Sequence, residues 1–172
     1  MKTILAIIIA FIVAAATLSL TTFDTFTSAI IQRQNFIAQL KGEMVVPPVI
    51  SNATGVAYFQ LDKKDNNIKY SLTATDLASV KAAHIHIGKE GENGPVIVTL
   101  YRPFSPKGQL GRILSVEDDI TSDILEGPLA GKQLSVLVNF MNNRTAYVDV
   151  HSHEYPNGEL RGQISNRISI GS

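Results

Sequence analysis

From Asn52 to Leu61 the chain alternates, with Thr54, Val56, Tyr58 and Gln60 on one side and Ala57, Phe59 and Leu61 on the other. That period of two places successive side chains on opposite faces of a β-strand. Asp62-Lys63-Lys64-Asp65-Asn66-Asn67 is turn chemistry, and Ile68, Tyr70 and Leu72 resume the alternation, so the two segments predict a hairpin. Further strands are predicted at Ala82–Ile87 and, after the loop Gly88–Gly94, at Pro95–Tyr101. Arg102–Arg112, with two prolines and two glycines, predicts a surface loop, and Gly127-Pro128-Leu129-Ala130-Gly131 breaks the chain again. Leu134, Leu137, Val138 and Met141 fall at i, i+3, i+4 and i+7, which predicts a short helix stopping at Asn142-Asn143. Ala146–Val150 returns to strand, Tyr155-Pro156-Asn157-Gly158 is a turn, and Glu159–Ile164 is the last strand. The pattern predicts an all-β domain: an antiparallel Greek-key β-sandwich with one short helix.

The N-terminus departs from this pattern. Met1-Lys2-Thr3 is a short basic start, and Ile4–Leu20 is an uncharged, almost wholly apolar run of 17 residues. At 1.5 Å per residue such a helix spans roughly 26 Å, just short of a bilayer core. The small-residue stretch that follows ends in Thr27-Ser28-Ala29, an imperfect small-x-small cleavage site. Residues 1–29 are therefore expected to be a signal peptide, or a membrane anchor through residues 4–20 if uncleaved. The domain is then extracytoplasmic, either secreted or held at the outer face of the cell membrane.

Composition narrows the picture further. Apolar residues make up 45% and charged residues 17%, enough to bury one core and too few charges for disorder. Lysine plus arginine equals aspartate plus glutamate at 15 each, with no basic cluster, so nucleic acid is not an expected partner. There is no cysteine, hence no disulfide, thiolate nucleophile or thiolate ligand. Asn52-Ala53-Thr54 and Asn143-Arg144-Thr145 fit the glycan-acceptor pattern, making Asn52 and Asn143 candidates in a host with that machinery.

All four histidines lie in two H-x-H pairs, His84-Ile85-His86 and His151-Ser152-His153. On strands each pair presents two imidazoles to one face. Asp149 shares its strand face with His151 and His153, so the chain offers up to five nitrogen and oxygen ligands of the kind copper or zinc takes. The alternative is structural: imidazoles that donate to backbone carbonyls, or to a carboxylate such as Glu159, and hold a sheet edge together. On that reading no cofactor is expected. Ser152 points away from its histidine neighbours, which argues against a Ser-His-Asp arrangement. Lys89–Gly94 lacks a phosphate-loop pattern and reads as an acidic hairpin loop, a candidate partner surface. Glu117-Asp118-Asp119 with Asp123 lacks EF-hand spacing and reads as a solvated turn.

The order of motifs resembles the CHRD domain, the module first named from chordin and widespread in exported microbial proteins. The matching pieces begin with Phe36-x-Ala38-x-Leu40-x-Gly42-Glu43, Val46-Pro47-Pro48-Val49 and Ala53-Thr54-Gly55-x-Ala57. Next come Ala83-His84-Ile85-His86-x-Gly88, Asn93-Gly94-Pro95-Val96 and Gly127-Pro128-Leu129. Tyr147-Val148-x-Val150-His151 and Tyr155–Ile164 complete the order. The resemblance implies a CHRD domain over residues 36–166, preceded by a linker at 30–35 and followed by a tail at 167–172. It also implies an exported, non-catalytic module that binds a protein, glycan or surface component, with no catalytic residues to carry over. His84, His86 and His151 belong to the family pattern, whereas His153 and Asp149 are this chain's own additions and Ser152 stands where threonine is usual. His84-x-His86-x-Gly88 also resembles part of the copper/zinc superoxide dismutase pattern, but nothing between His86 and His151 supplies that family's remaining histidines. Dismutase activity is therefore not expected.

Overall fold

The computed structural model describes residues 33–64, 66–104 and 111–166. The N-terminal apolar run, the center of the Arg102–Arg112 loop and the 167–172 tail lie outside the described residues. Among the described residues no helix is long and apolar enough to cross a membrane.

Among the described residues nine strands and one α-helix form: β1 (Arg33–Lys41), β2 (Thr54–Asp62), β3 (Asn67–Thr75), β4 (Val80–Ile87), β5 (Val96–Tyr101), β6 (Ile113–Ile120), α1 (Leu134–Asn142), β7 (Ala146–Ser152), β8 (Leu160–Gln163) and β9 (Ser165–Asn166). Strands β2 and β3 pair antiparallel in continuous register from Thr54 opposite Thr75 to Asp62 opposite Asn67. This is the predicted hairpin, and its alternation decides which face is inward: Ala57, Phe59, Leu61, Ile68, Tyr70 and Leu72 are buried. All four residues of the helical stripe, Leu134, Leu137, Val138 and Met141, are buried as well. Burying such side chains stabilises the fold by roughly 1.5–3 kcal/mol each.

The strands are hydrogen-bonded in one order, β5-β4-β7-β8-β1-β2-β3-β6, with β9 on β1. The ends of that order, β5 and β6, come into contact, so the sheet is barrel-like. A sandwich of two sheets was expected, and the antiparallel strands and the short helix are present. The difference comes from β1 and β6, two strands that the pattern alone did not bring out. In β1, Phe36, Ala38 and Leu40 alternate inward, and the strand joins β5-β4-β7-β8 to β2-β3-β6, meeting β8 at Lys41 opposite Arg161. In β6, Glu117-Asp118-Asp119 is strand and not turn: these residues pair with Ser71, Tyr70 and Lys69 of β3, and the three acidic side chains are exposed. Pairing with a neighbour that is already strand overrides a local preference for turn. Across the interior the Tyr70 hydroxyl donates to the Leu100 carbonyl at 2.5 Å, tying β3 to β5. Burial, with Asp118 nearby, pushes that phenol up to about 12.

Where β8 crosses β1 there is no room for a side chain. A Cβ on Gly162 would stand 2.2 Å from the Gln39 carbonyl oxygen. Gly162→Ala is expected to part the two strands and cost at least about 1–3 kcal/mol, as overpacking does. Urea denaturation against the wild-type chain measures it, and an unchanged midpoint would contradict this account of the join.

Candidate metal-binding site

Strands β4, β7 and β8 lie side by side with their side chains in rows. His84 stands opposite Asp149, which stands opposite Arg161; His86 stands opposite Tyr147, which stands opposite Gln163. Ala83, Ile85, Val148 and Val150 alternate with these residues and face the core. The period of two therefore sorts the three strands into an apolar inner face and a polar outer face. Register brings Asp149 between the two histidine pairs.

The outer face gathers four potential ligands, His84, His86, Asp149 and His151, whose ligand atoms all lie within 4.8 Å of one another. Asp149 Oδ2 is 3.0 Å from His86 Nε2 and 3.0 Å from His151 Nε2, while Asp149 Oδ1 is 3.5 Å from His84 Nδ1. The His84 and His151 rings are 5.1 Å apart, so the two pairs share one site. His153 does not join them. Strand β7 ends at Ser152, and His153 is exposed, with its backbone N–H donating to the Ser79 carbonyl at 3.1 Å. Glu159 is buried but accepts from the Ser51 hydroxyl at 2.7 Å. The carboxylate that meets the imidazoles is Asp149. Asn52 and Asn143 are both exposed.

Hydrogen bonds from the outer ring nitrogens decide what the inner ones can do. His86 Nδ1–H donates to the Gly94 carbonyl at 2.8 Å, and His151 Nδ1–H donates to the Pro156 carbonyl at 2.9 Å. A carbonyl only accepts, so each neutral ring keeps its proton on Nδ1 and turns a bare Nε2 lone pair toward Asp149. Lone pairs facing a carboxylate at 3.0 Å repel unless a proton or a cation lies between them. Consistent with this, His84 Nδ1, His86 Nε2, His151 Nε2 and Asp149 Oδ1 are buried and lack a hydrogen-bond partner. Orphaned acceptors of this kind cost about 1–3 kcal/mol each. A metal ion with bonds of about 2.0–2.2 Å would hold tetrahedral ligands about 3.3–3.6 Å apart; the Asp149–imidazole distances are 3.0–3.5 Å, and the four ligand atoms as a set lie within 4.8 Å. Outer hydrogen bonds from ligand histidines to carbonyls are also what metal sites use to fix the ring tautomer.

Loop residues 88–95 are packed close against β4. A Cβ on Gly94 would meet the Ile87 carbonyl at 1.8 Å, so only glycine lets this loop bring its carbonyl to His86. The Tyr147 ring stacks on His86 with centroids 4.9 Å apart and planes 9° apart, and the Arg161 guanidinium carbon lies 3.6 Å from the Tyr147 centroid.

The family model described as "CHRD domain" matches residues 36–164. The chain belongs to the CHRD family. A search of curated proteins matches "Chordin" of Xenopus laevis, 25% identical over 133 residues, which is 73% of this chain and 12% of that protein. The CHRD match begins in β1 and ends after β8, so it takes in every strand that builds the outer-face site. Tyr147, Arg161 and the two carbonyl acceptors were not singled out from the sequence as site residues. Tyr147 and Arg161 lie in segments that match the CHRD pattern, but only strand register and the loop contacts bring them to His86.

Burial alone would raise the Asp149 carboxyl, yet the imidazoles of His151, His84 and His86, which donate to it once a proton lies between them, and the charge of His151 hold it well below the usual carboxylate range. Burial works to lower His151, but its hydrogen bond and attraction to Asp149, with the Pro156 carbonyl, leave it raised. In the metal-free chain the depressed carboxyl contributes stability above its unfolded value near 4, lost as pH falls through the folded value. The raised His151 contributes stability that is complete below about 6.5 and is lost as pH rises through its folded value. Metal-free protein is therefore expected to be most stable between about pH 4 and 6.5 as far as this cluster is concerned. Asp149→Asn should flatten both limbs of the stability profile. Denaturation midpoints across pH in the presence of chelator measure this, and a profile identical in the two proteins would contradict it.

Proposed function

We propose that this CHRD chain is an exported, non-catalytic binding module whose outer face holds one zinc ion through His84, His86, His151 and Asp149. The observation that carries the reading is the convergence of four buried ligand atoms without a hydrogen-bond partner, two of them on rings whose other nitrogen is tied to a carbonyl. Three imidazoles and a carboxylate suit zinc, which takes four such ligands tetrahedrally in closed sites. The four ligand atoms are shielded from solvent, an arrangement that favours holding a metal over offering an open position to a substrate. The basic start and apolar run of residues 1–20 support export.

Copper is the second reading. Imidazole also suits copper, but Cu(II) prefers square-planar sites and Cu(I) softer ligands than carboxylate, so the donor set favours zinc. A bound zinc would join β4 to β7 and, through the Gly94 and Pro156 carbonyls, hold the 88–95 and 153–158 loops. Those loops form the surface this module would offer to a protein, glycan or surface component.

Purified chain is expected to retain one equivalent of zinc on dialysis and to melt at a higher temperature with zinc than with chelator. Ligand at 100 times its dissociation constant adds about 2.7 kcal/mol. A His84→Ala, His151→Ala double variant should bind none and show no zinc-dependent shift. Wild-type chain with no bound metal and no shift from zinc or copper would sink the proposal, and a larger shift with copper than with zinc would establish the second reading.

A further inference from the structure

Arg161 is the most deeply buried cation of the described residues, 3% exposed, and each group its side chain hydrogen-bonds is neutral. Nη1 donates to the Asn93 side-chain oxygen at 3.0 Å, and Nη2 donates to the carbonyls of Lys89 at 2.8 Å and Glu92 at 2.7 Å. Burying a guanidinium on neutral acceptors is costly, because each compensates less of the lost hydration than a paired carboxylate would; the charges of Asp149, its cross-strand neighbour, and Glu90 offset part of that cost. The arrangement nonetheless places three hydrogen bonds on one loop. The residue after Asn93 is Gly94, whose carbonyl accepts from His86 Nδ1–H and whose N–H donates to the Tyr147 hydroxyl at 3.2 Å. Arg161 also lies against the Tyr147 ring that stacks on His86. Two routes, one through the loop backbone and one through the ring, thus lead from one guanidinium to one histidine. On the far side Asn93 Nδ2 donates to the Val46 carbonyl at 2.8 Å, anchoring the loop to a second segment.

We infer that Arg161 is a positioning residue for the metal site, setting the tautomer and aim of His86 through the 88–94 loop and the Tyr147 ring. The inference rests on the zinc reading above. It assigns Arg161 no contact with the metal. Lysine cannot replace it, since a single ammonium cannot span the Asn93 side chain and two carbonyls with the planar geometry of the fork.

The test compares zinc affinity, by competition with a chromophoric chelator, and the visible spectrum of the cobalt-substituted full chain. Arg161→Gln is expected to stay folded, to weaken zinc binding about 10–100-fold and to alter the cobalt spectrum, as loss of an outer-shell partner does. Arg161→Lys should recover only a small part of the affinity. In a His86→Ala background Arg161→Gln should weaken binding no further, because its effect passes through His86. Should Arg161→Gln fail to fold, Asn93→Ala on the exposed loop carries the comparison, with weaker zinc binding and an altered cobalt spectrum expected. Wild-type affinity and spectrum in Arg161→Gln, or in Asn93→Ala when that variant carries the comparison, overturn the inference, as does an equal loss in the His86→Ala background. Those results leave the zinc reading intact, whereas wild-type chain that binds no metal removes that reading itself.

Discussion

A carboxylate facing imidazole nitrogens that have no proton to give it is the constraint on which the outer face depends. Asp149 lies 3.0 Å from two Nε2 atoms whose rings have already committed their protons to Gly94 and Pro156. Without a shared positive charge, the contact is repulsive and buried. With one, it becomes attractive. A proton on His151 meets part of this demand, which is why that ring is held raised and Asp149 depressed. A divalent cation meets more of it, because one ion can satisfy four acceptors together.

The surrounding structure is arranged to keep the rings in that orientation. The 88–94 loop is fastened from below by Arg161 and from the side by Gln163, whose amide donates to the Gly88 carbonyl at 2.8 Å. The 153–158 turn is fastened through Tyr155, whose hydroxyl donates to the Ile50 carbonyl at 2.8 Å and whose backbone N–H donates to the buried Ser152 hydroxyl at 3.1 Å. Hydrogen bonds outside the apolar core thus fasten both the 88–94 loop and the 153–158 turn. Such networks stabilise when satisfied and are costly when one member is lost.

Local patterning made much of the fold readable. The β2–β3 alternation and the Leu134–Met141 stripe are strong signals because burial of one face depends directly on period. β6 was hidden because three consecutive acidic residues suggest a turn, and only its pairing with β3 makes them strand. The site was partly readable for the same reason. H-x-H on a strand puts two imidazoles on one face, and Asp149 shares that parity with His151. Parity says nothing about where a strand ends, so His153 looked equivalent to His151 although β7 stops before it.

The sequence by itself determined most of the strands and the helix, though not β1 or β6, together with the family and the residue types that could ligate a metal. These follow from side-chain period and motif order, which are properties of neighbours along the chain. Tertiary structure decided the rest: that β4 and β7 lie side by side, that Asp149 and not Glu159 receives the imidazoles, and that Arg161 reaches the loop behind His86. Each of these depends on strand register and on the loops that cross over the sheet, and pairing between distant segments is written in no single stretch of residues.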